Sequence, residues 1–154
     1  MKRKAEIDTI MIHCTDTPPG REVSVKELDA WHKARNFEPY VDARGRKVYA
    51  GYHILVHLDG SYERIRPDDA RGQHCKQGNM NNRAIAICYV GGSDNNHKPC
   101  DTRTEPQKKT LLTLVRTLKG RYPHAQVVGH RDYAPKACPC FDARKEYRTL
   151  SPLS

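Results

Sequence analysis

The chain has 154 residues, a length typical of one globular domain, and it carries a formal net charge of +9. No apolar run approaches the roughly 20 residues of a membrane-spanning helix. The residues after Met1-Lys2-Arg3-Lys4 lack the apolar core of a secretory signal, so we expect synthesis in the cytoplasm.

The charge favours an anionic partner such as nucleic acid, membrane phosphate or a cell-wall polymer, or it simply keeps the surface soluble. Nucleic acid is not the expected partner, because no cluster of lysines and arginines is interleaved with aromatic residues. The six cysteines are irregularly spaced along a long chain. In a reducing cytosol such cysteines are more often thiols or metal ligands than disulfides.

The first predicted elements are a strand over residues 7–13 and a helix over residues 24–36. The strand is rich in β-branched residues and becomes wholly apolar, so we expect it to be buried. Ser24 and Glu27 form a capping box, in which two side chains satisfy free N–H groups at the start of the helix. Apolar residues follow at helical spacing, and we expect Trp31 in the core.

The middle of the chain predicts a hairpin and a central strand. A strand over 48–57 is followed by a two-residue turn at Asp59-Gly60 and a return strand over 62–65. Residues 67–83 are polar and irregular. The continuous apolar run at 84–90 is typical of a central strand covered on both faces.

The last third of the chain predicts a helix that begins with a capping box at Thr104 and ends at Gly120. A short strand over 126–128 then delivers His130 to its end, and a short helix follows Phe141. Strands that alternate with helices indicate an α/β fold, a single domain with a central mixed β-sheet flanked by helices. Sites in such open sheets lie beyond the ends of the strands.

Two histidines are predicted at strand ends, His13 and His130, and Cys138 follows the second by eight residues. Three protein ligands with one open position are typical of a catalytic zinc site. The spacing alone is weak evidence, and alternatives stay open at this point. Each histidine can instead be a buried side chain bonded to a backbone carbonyl. The Cys138-Pro139-Cys140 segment can be a loop with inert thiols.

Five short sequence blocks occur in order along the chain. They are IMIHCT at 10–15, GYHI at 51–54, the Asp59-Gly60 pair, GHRD at 129–132 and PKACP at 135–139. Together they resemble the type 2 N-acetylmuramoyl-L-alanine amidases, a family that includes the bacteriophage T7 lysozyme type and shares its fold with the peptidoglycan recognition proteins. The resemblance covers about residues 7–143 of a domain spanning 1–154, which leaves a short C-terminal tail.

The resemblance implies a set of site residues. It identifies three ligands for one Zn²⁺ per chain: His13, His130 and Cys138. Tyr52 matches the catalytic tyrosine of the family, and Lys136 matches a catalytic lysine of its T7-like branch. A positive charge at that position suits the stabilisation of a tetrahedral oxyanion. Cys140 then becomes a neighbouring thiol and not a ligand.

One further block resembles the Gly-x-His…Asn…Ile-Gly-Ile pattern of the family. Here it runs from Gly72 through His74 and Asn81 to the strand at 85–87, with Ala86 in place of the usual glycine. His74 and Asn81 are therefore predicted to line the substrate groove. The alternative is that they are ordinary polar residues of a loop.

The implied activity is zinc-dependent hydrolysis of the amide bond between N-acetylmuramic acid and L-alanine of the peptidoglycan stem peptide. Two alternatives are a non-catalytic peptidoglycan-binding module of the same fold and a basic regulatory protein. The ligand cysteine favours the enzyme, because binding-only relatives usually lack it. We expect a monomer that acts on peptidoglycan in the cell wall after release or export.

Overall fold

The fold is given by a computed structural model that describes residues 2–151, so the last three residues of the predicted C-terminal tail lie outside it. The strands are β1 (Thr9–Cys14), β2 (Tyr40–Val41), β3 (Lys47–Val48), β4 (Ile54–Val56), β5 (Tyr62–Arg64), β6 (Ala84–Tyr89) and β7 (Gln126–Gly129). The α-helices are α1 (Val25–Ala34), α2 (Met80–Arg83), α3 (Glu105–Arg121) and α4 (Ala143–Glu146).

Five strands form the main sheet in the order β5-β4-β6-β1-β7. The edge pair β4–β5 is antiparallel, and the three remaining pairs are parallel. Strand β6 lies at the centre of the sheet and is buried along its whole length, as the continuous apolar run predicted. The predicted α/β fold with a central mixed sheet is confirmed.

Alternate residues of β1 face opposite sides of the sheet. Ile10 and Ile12 are fully buried in the main apolar core, where they join the apolar face of α3. Met11 lies in a separate cluster on the other side, with Met80. Burial of each such side chain is worth roughly 1.5–3 kcal/mol. Since residues two apart on a strand share a face, His13 points to the same side as Met11.

Both predicted capping boxes are present, at Ser24–Glu27 and at Thr104–Gln107. Helix α3 nevertheless continues past Gly120, where the sequence predicted its end. The N–H of Tyr122 still donates to the carbonyl of Leu118, at 2.7 Å. A glycine favours a helix end only where the chain adopts a left-handed cap there, which this chain does not.

The predicted strand over 48–57 is wrong as a single element. Lys47–Val48 pairs with Tyr40–Val41 in a separate ribbon, and only Ile54–Val56 joins the main sheet. Side chains of α1 bind the intervening backbone: Asp29 accepts the N–H groups of Tyr49 and Ala50, and His32 accepts that of Gly51. These N–H groups are therefore satisfied without strand pairing.

The predicted hairpin is present, but its loop has three residues and not two. The N–H of His57 donates to the carbonyl of Ser61 at 2.8 Å, which leaves Leu58, Asp59 and Gly60 in the loop. Gly60 has a φ of +87°, a conformation that glycine adopts without steric cost.

Within residues 2–151, no helix combines the length and the apolar character needed to cross a bilayer.

Candidate metal centre

The structure brings His13, His130 and Cys138 together at one end of the sheet. His13 is the penultimate residue of β1, and His130 directly follows β7, its parallel neighbour. The carboxyl ends of parallel strands share one edge of a sheet, so the two imidazoles meet there, with ring centroids 4.6 Å apart. One ligand atom from each of the three residues lies within 4.8 Å of the others.

The donor set and its spacing fit a metal ion. The sulfur of Cys138 lies 3.8 Å from Nδ1 of His13. Two ligands of a tetrahedral zinc site lie roughly 3.5 Å apart, given metal–ligand bonds of about 2.0–2.3 Å. Within residues 2–151, three protein atoms converge as a candidate ligand set, which leaves one position for a water or a substrate oxygen.

The loop that carries Cys138 is fixed by its neighbours. The backbone N–H of Cys14 donates to the Cys138 sulfur at 3.2 Å. Pro139 packs on the backbone of Gly129, where a Cβ would lie only 2.6 Å from the proline ring, and the Tyr89 hydroxyl donates to the Pro139 carbonyl at 2.6 Å. The sulfur is therefore held in place by contacts with β1, β6 and β7.

A third histidine, His74, contacts the ligand His13. Nε2 of His13 lies 3.0 Å from Nδ1 of His74, which leaves Nδ1 of His13 facing Cys138. Asn81 fixes the backbone of this segment, since its side-chain oxygen accepts the N–H of His74 at 2.7 Å. Gly72 gives the His74 ring its space, because a Cβ there would lie 2.5 Å from that ring.

The contacts of His74 and Asn81 go beyond the groove-lining role that the sequence predicted. His74 lines the two cavities beside the group, and Asn81 lines the smaller one. Their hydrogen bonds, however, run to His13 and to backbone. A partner of a ligating histidine commonly sets its tautomer and orientation. Sequence reasoning missed this link, since 61 residues separate His13 from His74.

The histidines of the site favour their neutral form. Burial lowers the pKa of His13 well below its usual value, and His74 and His130 lower it further. Burial likewise lowers the pKa of His130 to about 4, with a smaller contribution from the positive charge of Lys136. Neutral imidazole is the form that binds a metal, so the set needs no deprotonation of histidine at neutral pH.

Tyr52 and Lys136 both line the larger cavity, whose volume is about 430 Å³. The ring of Tyr52 lies 4.9 Å from that of His13, centroid to centroid. Burial raises the pKa of the Tyr52 phenol well above its usual value, so the hydroxyl keeps its proton and can donate a hydrogen bond. Lys136 lines the same cavity, and its positive charge lowers the pKa of His130.

The prediction that Trp31 lies in the core is wrong, because the structure places it in the cavity wall. Its side chain is 37% exposed, and the guanidinium of Arg21 lies 5.4 Å from its ring centroid. The buried positions of α1 are Leu28 and His32, four residues apart. Trp31 stands at the edge of that stripe, where the helix meets the cavity.

Cys140 lies beside the group without joining it. Its sulfur is 3.1 Å from the carbonyl of Gly92 and 4.0 Å from the sulfur of Cys14. Hydrogen bonding between these two thiols raises the pKa of Cys140. The three-residue metal group contains Cys138 and not Cys140.

The comparisons with known proteins agree on one family. Residues 3–141 match the family model described as N-acetylmuramoyl-L-alanine amidase. The endolysin of Enterobacteria phage K11 is 33% identical over 147 residues, 96% of this chain and 89% of that protein. The endolysin of Escherichia phage T7 is 34% identical over 144 residues, 94% of this chain and 87% of that protein.

Solved structures show the same likeness. The N-acetylmuramoyl-L-alanine amidase LysC from Clostridium intestinale URNW superposes with a TM-score of 0.70 at 26% identity, covering 91% of this chain and 80% of that chain. Apis mellifera PGRP-SA superposes with a TM-score of 0.70 at 16% identity, covering 99% of this chain and 91% of that one. The second likeness is one of fold alone.

Proposed function

The chain belongs to the N-acetylmuramoyl-L-alanine amidase family and is an amide hydrolase, and we propose that its hydrolytic site is a zinc site formed by His13, His130 and Cys138. The bond cut is the amide between N-acetylmuramic acid and L-alanine of the stem peptide. One observation carries the proposal: these three side chains, from distant parts of the sequence, converge within 4.8 Å beside an open cavity.

Zinc is the metal that this donor set favours. Two imidazoles and one thiolate suit a borderline-soft ion, whereas magnesium and calcium prefer carboxylate and carbonyl oxygens. Bound at this site, zinc supplies a Lewis acid for the scissile carbonyl and a nucleophilic water at neutral pH. The chain itself supplies the neutral imidazoles, because burial lowers the pKa of both His13 and His130.

Lys136 and Tyr52 are the proposed catalytic side chains. Attack on an amide turns its carbonyl oxygen into an oxyanion, which positive or hydrogen-bonding groups stabilise. Lys136 lines the cavity with a positive charge for that oxygen. Tyr52, whose raised pKa keeps the hydroxyl protonated, donates a hydrogen bond to the oxyanion or relays to the leaving nitrogen a proton that the attacking water loses.

His74 is the proposed positioning residue for the first ligand. Its Nδ1 engages Nε2 of His13, so that Nδ1 of His13 is the nitrogen turned toward Cys138. Asn81 holds the backbone of His74 in that position. Both residues remain proposed contributors to the substrate groove as well, since they line the cavities beside the group.

The proposed substrate is peptidoglycan, and the proposed place of action is the cell wall. The phage relatives are named endolysins. A monomer is the proposed active form, because one chain supplies all three candidate ligands. A binding-only role is disfavoured by the complete His/His/Cys group.

The test of the reaction is mass spectrometry of purified peptidoglycan after digestion by the protein. We expect stem peptides released with free L-alanine amino termini and glycan strands that keep their length. New reducing ends on the glycan, without freed L-alanine, would identify a glycosidase and overturn the proposal. A zinc-chelated sample serves as the control, and it should release nothing.

A further inference from the structure

Two thiols that the proposed reaction does not use lie against each other beside the metal group. The sulfurs of Cys14 and Cys140 are 4.0 Å apart, although the two residues are separated by 126 positions in the chain. Both side chains line the larger cavity, whose volume is about 430 Å³. A small molecule that enters this cavity therefore reaches the pair of thiols.

The two sulfurs share the space beside Gly92, which lies just beyond the end of β6. The Cys140 thiol donates to the Gly92 carbonyl, whose oxygen is 3.1 Å from the sulfur. A Cβ at Gly92 would clash with the Cys14 sulfur and would lie 3.7 Å from the Cys140 sulfur. Because glycine has no side chain, the two thiols can meet at this point.

Each thiol is close in sequence to a candidate zinc ligand. Cys14 ends β1 and directly follows His13, whereas Cys140 follows Cys138 by two residues in the loop before α4. A disulfide bond is about 2.05 Å long, so its formation requires the sulfurs to approach by about 2 Å. The bond would join β1 to the loop that carries Cys138 and would restrict the unfolded chain.

Cys138 is a competing partner for Cys14. Its sulfur accepts the backbone N–H of Cys14 at 3.2 Å, so it also lies close to that residue. In the proposed zinc site the Cys138 sulfur is a metal ligand, which leaves Cys140 as the thiol available to Cys14. This choice of partner rests on the proposed function, whereas the contact between Cys14 and Cys140 does not.

We propose that Cys14 and Cys140 form an oxidation site, at which a low-molecular-weight disulfide converts the two thiols into one protein disulfide bond. One cysteine thiolate attacks the small disulfide and displaces its first thiolate, which leaves a mixed disulfide on the protein. The other cysteine thiolate then attacks the protein sulfur of that bond and displaces the second thiolate. The two leaving thiolates take up the two protons that the cysteines lose. The protein is thus oxidised by two electrons, and the small disulfide is reduced to two thiols.

The redox state of the surroundings sets whether this bond forms. A bacterial cytosol keeps thiols reduced, whereas disulfides persist in oxidising compartments outside it. On the proposed route from the cytoplasm to the cell wall, the bond therefore forms after release. It then fastens together the two segments that carry His13 and Cys138.

The test treats the zinc-loaded protein with an excess of oxidised glutathione and maps its tryptic peptides without reduction. We expect one cross-linked pair, in which peptide 5–21 with Cys14 is joined to peptide 137–144 with Cys140. The melting temperature should rise by about 5 °C or more, because the bond closes a long loop. Dithiothreitol should reverse both changes.

Peptide 137–144 also contains Cys138, so a substitution identifies the sulfur that reacts. Cys140→Ser should give neither the cross-link nor the rise in melting temperature. Cys100→Ser is the matched control, because it removes an exposed thiol outside the cavity, and it should behave as the wild type.

A wild type that forms no cross-link would overturn the inference. A cross-link that persists in Cys140→Ser would do so as well, since Cys138 would then be the partner of Cys14. A cross-link without a rise in melting temperature would overturn the fastening role of the bond. The zinc content of each sample is measured separately, so that failure of the zinc site is distinguished from failure of the disulfide.

Discussion

Nε2 of His13 lies 3.0 Å from Nδ1 of His74, and this contact orients the first candidate metal ligand. With Nε2 engaged, His13 presents Nδ1 to the sulfur of Cys138, 3.8 Å away. His74 in turn depends on Asn81 for its backbone position and on Gly72 for its space. The residues that support His13 therefore come from the polar segment that precedes β6.

Replacing His74 should weaken metal binding without removing a ligand. We expect His74→Ala to lower zinc affinity about 10–100-fold, as loss of an outer partner commonly does. His74→Gln, which keeps a side-chain acceptor, should recover part of that loss. Competition with a chromophoric chelator measures the affinity. The exposed His97→Ala is the control, and an unchanged affinity in His74→Ala would show that the contact does not position His13.

Lys136→Ala should slow turnover while zinc stays bound. Loss of one oxyanion-stabilising group typically lowers kcat by about 10²–10³. Lys136→Arg keeps the positive charge and should recover part of the rate. If Lys136 had a purely structural role, the rate would not depend on the charge of the replacement. Initial rates and zinc content are measured on the same samples. Lys98→Ala, an exposed loop lysine, should match the wild type; a Lys136→Ala enzyme as fast as wild type would remove this residue from the mechanism.

Tyr52→Phe should also keep zinc and lose rate, because it deletes one hydroxyl and preserves the ring that contacts His13. We expect kcat to fall about 10²-fold, the lower end for a positioned proton donor. The melting temperature should stay near that of the wild type. An unchanged rate would show that Tyr52 lines the cavity without a catalytic role.

Acid should destabilise the fold through histidines outside the ligand set. Burial lowers the pKa of His53 to about 3 and that of His32 to about 4. Below pH 6.5 these histidines bind protons in the unfolded chain but stay neutral in the folded chain. The free energy of unfolding therefore falls as the pH falls. Each such histidine costs about 1.4 kcal/mol per pH unit between pH 6.5 and its folded pKa.

The contribution of His32 can be isolated by substitution. His32→Asn retains an acceptor for the N–H of Gly51 but does not titrate in this range. Urea denaturation at pH 7, 6 and 5, with chelator throughout, should show a shallower decline for the variant than for the wild type. Identical declines would mean that His32 is protonated in the folded state at these pH values.

Patterns in the sequence predicted those helices and strands that residues adjacent in the chain stabilise. The β-branched run of β1 and the capping boxes of α1 and α3 are readable because the residues that form them are adjacent. The break between β3 and β4 is not, since Asp29 and His32 satisfy backbone N–H groups about twenty residues away. The hydrophobic character of Trp31 predicted burial. Its position at the edge of the buried stripe of α1 leaves it partly exposed instead.

The site likewise has features that the sequence predicts and features that depend on packing between distant segments. Residue types and spacing suggested a histidine and cysteine site, and the family resemblance supplied the register that favours Cys138 over Cys140. The contact of His13 with His74 follows from packing between segments distant in the sequence. A single sequence carries no direct signal of it.

The most direct test is the zinc content and lytic activity of Cys138→Ala beside those of Cys140→Ser. The two cysteines are two residues apart, yet only Cys138 belongs to the metal group. We expect Cys140→Ser to hold about one zinc per chain and to lyse purified cell walls, and Cys138→Ala to do neither. Full lysis by a metal-free Cys138→Ala protein, or loss of zinc from Cys140→Ser alone, would contradict the proposed zinc site.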